Sequence, residues 1–353
     1  MSGDQVPIDL VVEAALEKTP LARALLGRFP FGRVVARVRP ADYARYPART
    51  LVLARHPGRF IKPCPGTKGY LCCGLQIIHF GLGCSIGCTY CILQGYLDTP
   101  ALVVFGNVQE GLEQVRRRLD SPGRGSRRYC TGEFTDSLLL EDLTGWSARL
   151  IKLFADYPQA LLELKTKTDR VDSLLGLNHR GRTVVSFSVN APQVSASEEG
   201  GAAPLAERIA AASRAVQAGY RVGFHFDPLI RHPGWQEGYA RTVADLFAAV
   251  PAERMAWISL GAFRFLPRLG KIIPKRHPGS RIVYDEFIPA PDGKYRYLRP
   301  LRVQMYRALV GLIREADPDV PVYLCMESRR VWQEVFGFDP GPRGLARMLE
   351  ARV

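Results

Sequence analysis

The chain has 353 residues, enough for one large α/β domain with additions or for two ordinary domains, and it can bury a substantial core without covalent staples. Its 48 Lys and Arg against 34 Asp and Glu leave a formal net charge of +14, a field that attracts polyanions such as nucleic acid, although a basic surface also serves solubility alone. Six of the eight cysteines crowd between Cys64 and Cys91, the start MSGDQVPIDL lacks the basic and apolar regions of a signal peptide, and no uncharged apolar run of about 18 residues occurs; a disulfide framework and a membrane span are disfavoured, and a reducing cytoplasm is expected.

Residues 1–60 read as a leading region: a helical stretch around Leu10–Leu26, Pro and Gly punctuation, then an apolar strand Thr50–Ala54. From Ile61 onward, strand-like runs alternate with amphipathic helical ones. Leu75–Phe80 precedes Val108–Leu119, Arg128–Gly132 precedes Leu143–Phe154, and Leu161–Lys165 precedes Arg170–Leu175. Thr183–Val189 then leads to Leu205–Ala218, Arg221–Phe226 to Trp235–Ala249, and Trp257–Leu260 and Val322–Met326 to Arg330–Val335. The alternation predicts an α/β fold with parallel strands and helical crossovers, a full or partial TIM-type barrel over 61–328 whose chemistry lies at the strand C-terminal ends, followed by a helical tail over 329–353. One segment, 266–301, breaks the pattern. Its aromatic flanks around Asp292–Gly293 predict a β-hairpin excursion, and its prolines suit an edge ribbon.

The loop GLGCSIGCTYCILQGY, just after the first barrel strand, spaces Cys84, Cys88 and Cys91 as C-x3-C-x2-C. Three thiolates from one short loop can each hold one iron of a cubane [4Fe-4S] cluster and leave the fourth iron open for reaction. A structural zinc site, completed by Cys72, Cys73 or His79, is the alternative reading, as are inert thiols. The triplet resembles that of the radical S-adenosyl-L-methionine superfamily, in which the open iron chelates the methionine end of the cofactor and an electron from the cluster releases a 5′-deoxyadenosyl radical. Tyr90, directly before the last cysteine, fits that resemblance and is a candidate catalytic residue.

Further pieces in the same order, LKTKTDRVDSLL, VVSFSVN, AGYRVGFHFDPLIRHPGW, the FRF around Arg264 and the GKYRY at the end of the hairpin, resemble the spore photoproduct lyases from the leading helix to about Ser328. The resemblance implies a partial (β/α)6 barrel that repairs a UV-linked thymine dimer in DNA by abstracting hydrogen from it, with a hairpin that wedges into the damaged duplex. It also implies a one-electron reductant such as flavodoxin or ferredoxin. Carried over by position, Lys167 and Ser188 hold the methionine carboxylate or nearby polar atoms of the cofactor, and Glu133, after Gly132, accepts from the methionine ammonium. Two positions depart from the family. Glu133 stands where the family has a hydrogen-returning cysteine, with Cys130 a substitute donor or a small buried hydrophobe, and Ile92 stands where the family has a tyrosine. Cys64, Cys72 and Cys73 form a second group; adjacent cysteines point apart on an extended chain, so no second cluster is expected.

On the substrate side, Lys294, Arg296, Arg299 and Arg302 interleave with Tyr295, Tyr297 and Tyr306, with Arg268, Lys271, Lys275 and Arg276 upstream. Cations neutralise phosphates and rings stack on or between bases, so the ribbon suits a reader of damaged duplex; a solvated ribbon packing its tyrosines on the barrel is the plainer reading. Arg116–Arg118 with Arg124, Arg127 and Arg128 read as surface. Asp227 ends a strand and is a candidate contact for the cofactor ribose or substrate, with Arg231 and Arg264 as substrate contacts, while His225 reads as a satisfied core residue. Three readings result: a radical enzyme acting on a thymine lesion in DNA, the same radical used on another nucleobase, RNA or a small molecule, and a zinc-stapled nucleic-acid-binding protein without catalysis.

Overall fold

The structure is a computed structural model describing residues 7–67, 69–121, 127–350 and 352. Its centre is an eight-stranded sheet whose seven parallel strands are β1 (Gln76–Ile78), β2 (Arg128–Cys130), β3 (Leu161–Thr166), β4 (Thr183–Ser188), β5 (Arg221–Leu229), β6 (Met255–Ala262) and β7 (Val322–Leu324). Spatial order follows chain order, and Ile61–Pro63 pairs antiparallel on the free edge of β1. The sheet curls into a half barrel, and the amide of Leu71 donates to the carbonyl of Glu327 at 2.8 Å, linking the segment before β1 to the one after β7. Strands such as TVVSFS in β4 are buried on both faces because helices cover the outside while the inside is filled by polar side chains.

The crossovers include the helices Val108–Asp120, Trp146–Phe154, Leu205–Gln217, Trp235–Ala249 and Arg299–Ala316. A second sheet, in the order Arg33–Val35, Asp9–Glu13, Thr50–Ala54, Leu102–Phe105 and Gly81–Leu82, joins the leading residues to segments that follow residue 61. No helix among the described residues is long and apolar enough to cross a membrane.

Four local expectations are corrected. Within the expected helix Leu10–Leu26, Asp9–Glu13 is a strand, since β-branched Val11 and Val12 are buried between two parallel neighbours; the helix starts only at Pro20, capped by the Thr19 hydroxyl. Arg170–Leu175 forms turns, where Val171 and Leu174 are buried but the bond from Leu174 N–H to Val171 carbonyl closes a turn and Gly176 follows. In the excursion, Pro267–Arg276 is an α-helix; the ribbon is confined to Phe287–Pro289 against Tyr295–Tyr297, turning at Gly293 (φ 74°), with Arg264–Phe265 as the third strand. Arg299 and Arg302 then belong to the helix Arg299–Ala316. Finally, Arg128 is not a surface residue but a buried one inside the barrel, and Arg124 lies outside the described residues.

Candidate active site

Side chains alternate across a strand, so residues two apart share the barrel interior. Arg128 of β2, Glu163 of β3, Ser186 of β4, His225 of β5 and Trp257 of β6 meet in one lower layer. The Glu163 carboxylate accepts from Ser186 Oγ at 2.7 Å, Arg128 Nη2 at 3.2 Å and Trp257 Nε1 at 3.2 Å, and pairs with His225 Nε2 at 2.7 Å. Burial works to raise Glu163, but His225 and Arg128 outweigh it and hold the carboxyl below its ordinary range. Four donors on one buried carboxylate fix the floor of the barrel.

One layer nearer the strand C-termini stand Cys130, Lys165, Ser188, Asp227 and Cys325. Arg264 reaches over this layer, donating to both oxygens of Asp227 at 3.1 and 3.4 Å and to the sulfurs of Cys325 at 3.8 Å and Met326 at 3.4 Å. Burial opposes ionisation of Asp227, yet the Arg264 guanidinium and the Lys165 ammonium keep it below the usual carboxylate range. Lys165 is in turn held up, against burial, by Cys130, Glu133, Asp227 and Glu163. Glu133 is half-buried beside this ammonium, and the Ser188 carbonyl accepts from Arg208 Nη1 at 2.7 Å.

The cysteine loop lies against this mouth. Gly83 (φ 88°) and Gly87 (φ 69°) take left-handed turns, and a Cβ on Gly83 would meet the Ala101 carbonyl at 2.8 Å. The Gly83 amide donates to the Phe134 carbonyl, docking the loop on the segment that carries Glu133. Tyr90 is buried and donates its hydroxyl to Glu199, which also accepts from Arg208 Nη2 at 2.6 Å and from Lys167 Nζ at 3.3 Å. Lys167 lies over the Tyr90 ring, 5.4 Å from its centroid, and is a charged neighbour of Cys88 and Cys91. Burial would raise the Glu199 carboxyl, but the two cations hold it at about 2.

Cys84, Cys88 and Cys91 are mutual neighbours on one turn-rich segment, although among the described residues no three His, Cys, Asp or Glu side chains stand at metal-holding distances. The partners named in the zinc reading are elsewhere. Cys72 and Cys73 contact each other and Cys64, while His79 packs among His56, Phe105 and Phe134. The loop residues therefore fit a group held by three thiols better than a four-ligand zinc.

The ribbon residues separate from one another. Arg296 is 2% exposed, ion-paired with Asp292 at 2.7 Å, bonded to the Met326 carbonyl and laid over the Tyr70 ring. Tyr297 is buried on Phe287, with its hydroxyl accepting from the Arg231 amide, and Tyr295 stacks on Phe265. Arg231 pairs with Asp285 and Glu286, and Arg302 with Glu327. Lys294 of this group lies near the mouth, with Arg264, Asp292 and Arg296 as its charged neighbours and the Cys325 thiol close by. Sequence reading missed Lys165, Glu199 and Cys325. The period of two along LLELKT would have placed Lys165 inward with Glu163; nothing local signalled Glu199, which reaches Tyr90 only through the fold.

A curled half barrel of parallel strands with a three-cysteine loop at its mouth is the radical S-adenosylmethionine type of TIM fold. A family model described as spore photoproduct lyase matches residues 74–299. The chain belongs to that family. The curated spore photoproduct lyase of Bacillus subtilis (strain 168) is 33% identical over 212 residues, 59% of this chain and 62% of that protein, and that of a Geobacillus species is 28% identical over the same length. The chain thus spans about three fifths of the length of these curated relatives. Among solved structures, a spore photoproduct lyase mutant with dinucleoside spore photoproduct aligns with a TM-score of 0.80 at 24% identity, covering 91% of this chain and 99% of that one. A second mutant, with bound AdoMet and the same dinucleoside, aligns at 0.78 and 24%, covering 92% and 100%.

Proposed function

We propose that this chain is a radical S-adenosyl-L-methionine lyase that repairs a thymine lesion of the spore photoproduct type in UV-damaged DNA. The observation that carries the reading is the seating of the three-cysteine loop, with Tyr90 and Lys167, on the mouth of a barrel whose interior is polar and charged. Bound by Cys84, Cys88 and Cys91, a [4Fe-4S] cluster would supply the electron that turns S-adenosyl-L-methionine into a hydrogen-abstracting radical. Lys167, beside that loop, would pair with the methionine carboxylate, and Glu133 would accept from its ammonium. Ser188 and Asp227 line the next stretch of the mouth, suited to the sugar hydroxyls. Asp227 and Arg264 hold each other in place, so a substrate entering over them meets a fixed, mostly dry surface. A flavodoxin- or ferredoxin-type reductant and a cytoplasmic setting accompany this reading.

The test is anaerobic reconstitution followed by incubation with S-adenosyl-L-methionine, reductant and UV-irradiated DNA. The expected result is a brown protein with about four irons, 5′-deoxyadenosine formation and mass-spectrometric loss of the thymine lesion, all abolished by C84A, C88A or C91A. A colourless protein holding one tight zinc overturns the reading. Formation of 5′-deoxyadenosine with no change in any thymine lesion retains the radical and rejects the substrate.

A further inference from the structure

A carbon radical left on a substrate must be refilled with hydrogen, and among side chains the cysteine S–H bond is one of the weak sources, with the tyrosine O–H bond. Two thiols, Cys130 and Cys325, belong to the mouth layer, and a third, Cys73, lies close to Cys325, Arg128 and Tyr323. Cys130 is 3% exposed and its sulfur accepts the Gly132 amide at 3.4 Å, so it is sealed beneath the loop that carries Glu133. Cys325, the first residue after β7, is only half-buried, with its sulfur against Arg264 and Asp227 at the opening.

Two independent features converge on Cys325. Met326, the next residue, is held in the left-handed region at φ 53° without being glycine, its carbonyl bound by Arg296 Nη1 at 3.1 Å and its sulfur by Arg264. Such strain persists only where its surroundings impose it, and here it turns the chain so that Cys325 ends the strand at the mouth. Lys294 is 9% exposed and its ammonium has no hydrogen-bond or ion-pair partner among the described residues; Arg264 and Arg296 are close by, and the nearby Asp292 carboxylate is already ion-paired with Arg296. With Asp227 committed to Arg264 and Asp292 to Arg296, Lys294 is left free to take an anion from outside, and a phosphodiester bound there lays its nucleotide beside Cys325.

We infer that Cys325 is the hydrogen-atom donor that quenches the substrate radical in this chain. The inference rests on the radical reading proposed above. In the step, the Cys325 S–H bond breaks homolytically, the hydrogen atom forms a C–H bond at the substrate carbon, and sulfur is left as a thiyl. One electron from the one-electron reductant that serves the reaction, with one proton from solvent, restores the thiol.

The test uses the full reconstituted chain in D2O with the dinucleoside lesion, comparing wild type with C325S, C325A, C130A and C73A. Three quantities are read: thymine formed per 5′-deoxyadenosine, solvent deuterium in that thymine, and lesion affinity measured without reductant. Wild type, C130A and C73A are expected to deliver one solvent deuterium per thymine. C325S keeps the size of the side chain and a hydroxyl for Asp227, but its O–H bond is too strong to give hydrogen; it should lose tenfold or more in thymine per 5′-deoxyadenosine, lose the deuterium, and bind the lesion within twofold of wild type, as should C325A. Coupled, deuterated product from C325S, or the same loss in C130A or C73A instead, overturns the inference while leaving the radical reading intact. No lesion loss by wild type overturns both.

Discussion

Gly261 lies opposite Asp227, and a Cβ there would meet Asp227 Oδ1 at 2.5 Å. The glycine is what lets this carboxylate sit between Arg264 and Lys165 at the mouth. G261A should displace Asp227, lowering kcat/KM for lesion repair by about tenfold or more while destabilising the chain by about 1–3 kcal/mol; steady-state kinetics alongside urea unfolding separates the two. Glu199 makes the opposite kind of contribution. It is a fully buried anion shared by Arg208, Lys167 and Tyr90, so E199Q strands the Arg208 charge, and about 3 kcal/mol should disappear from the unfolding free energy of the cluster-free protein in urea titration.

At the scale of elements, the ribbon and the helix before it divide their labour. The Arg296 charge is satisfied internally by Asp292 and Met326, whereas Lys271 and Lys275 stand exposed on the helix Pro267–Arg276. R296A should therefore cost about 3 kcal/mol of stability and leave the salt dependence of DNA affinity unchanged. Replacing Lys271 and Lys275 by Ala should flatten the slope of log K against log salt by about 1–2 without a stability cost, measured by fluorescence titration across salt concentrations. The sequence shows basic and aromatic residues alternating along the ribbon; it does not show which face meets Tyr70, because that ring arrives from a distant segment. The alternating strands and most helices were legible, since each carries its own period. Asp9–Glu13 and Pro267–Arg276 were not, because two buried parallel neighbours in one case and a run that resembled hairpin flank in the other outweigh local pattern.

For the molecule as a whole, the two sheets meet around His79, which packs against His56 and Phe105 from the side of the leading sheet and against Phe134 from the barrel loop. Burial, assisted by His56 and Lys62, holds the His79 imidazole at about 3, so the folded chain keeps it neutral while the unfolded chain protonates it near 6.5. A depressed histidine contributes stability above its unfolded value and loses it as pH falls towards the folded one. Acidification from pH 6.5 to 5 should thus remove about 2 kcal/mol of stability through His79, on top of what the likewise depressed His56, His179 and His225 lose, and H79F should remove the His79 share, read from urea midpoints at each pH. The sequence by itself determined the class of fold, through strand and helix periods, and singled out Cys84, Cys88 and Cys91 as candidate cluster ligands, through spacing within one loop. Both are local, encoded in neighbours along the chain. Only the tertiary structure decided that Glu199 anchors Tyr90, that Arg296 faces inward, and that Cys325 and Lys294 share the mouth with Asp227 and Arg264, because those pairings join residues far apart in the chain, 109 positions for Tyr90 and Glu199, and depend on how the barrel closes.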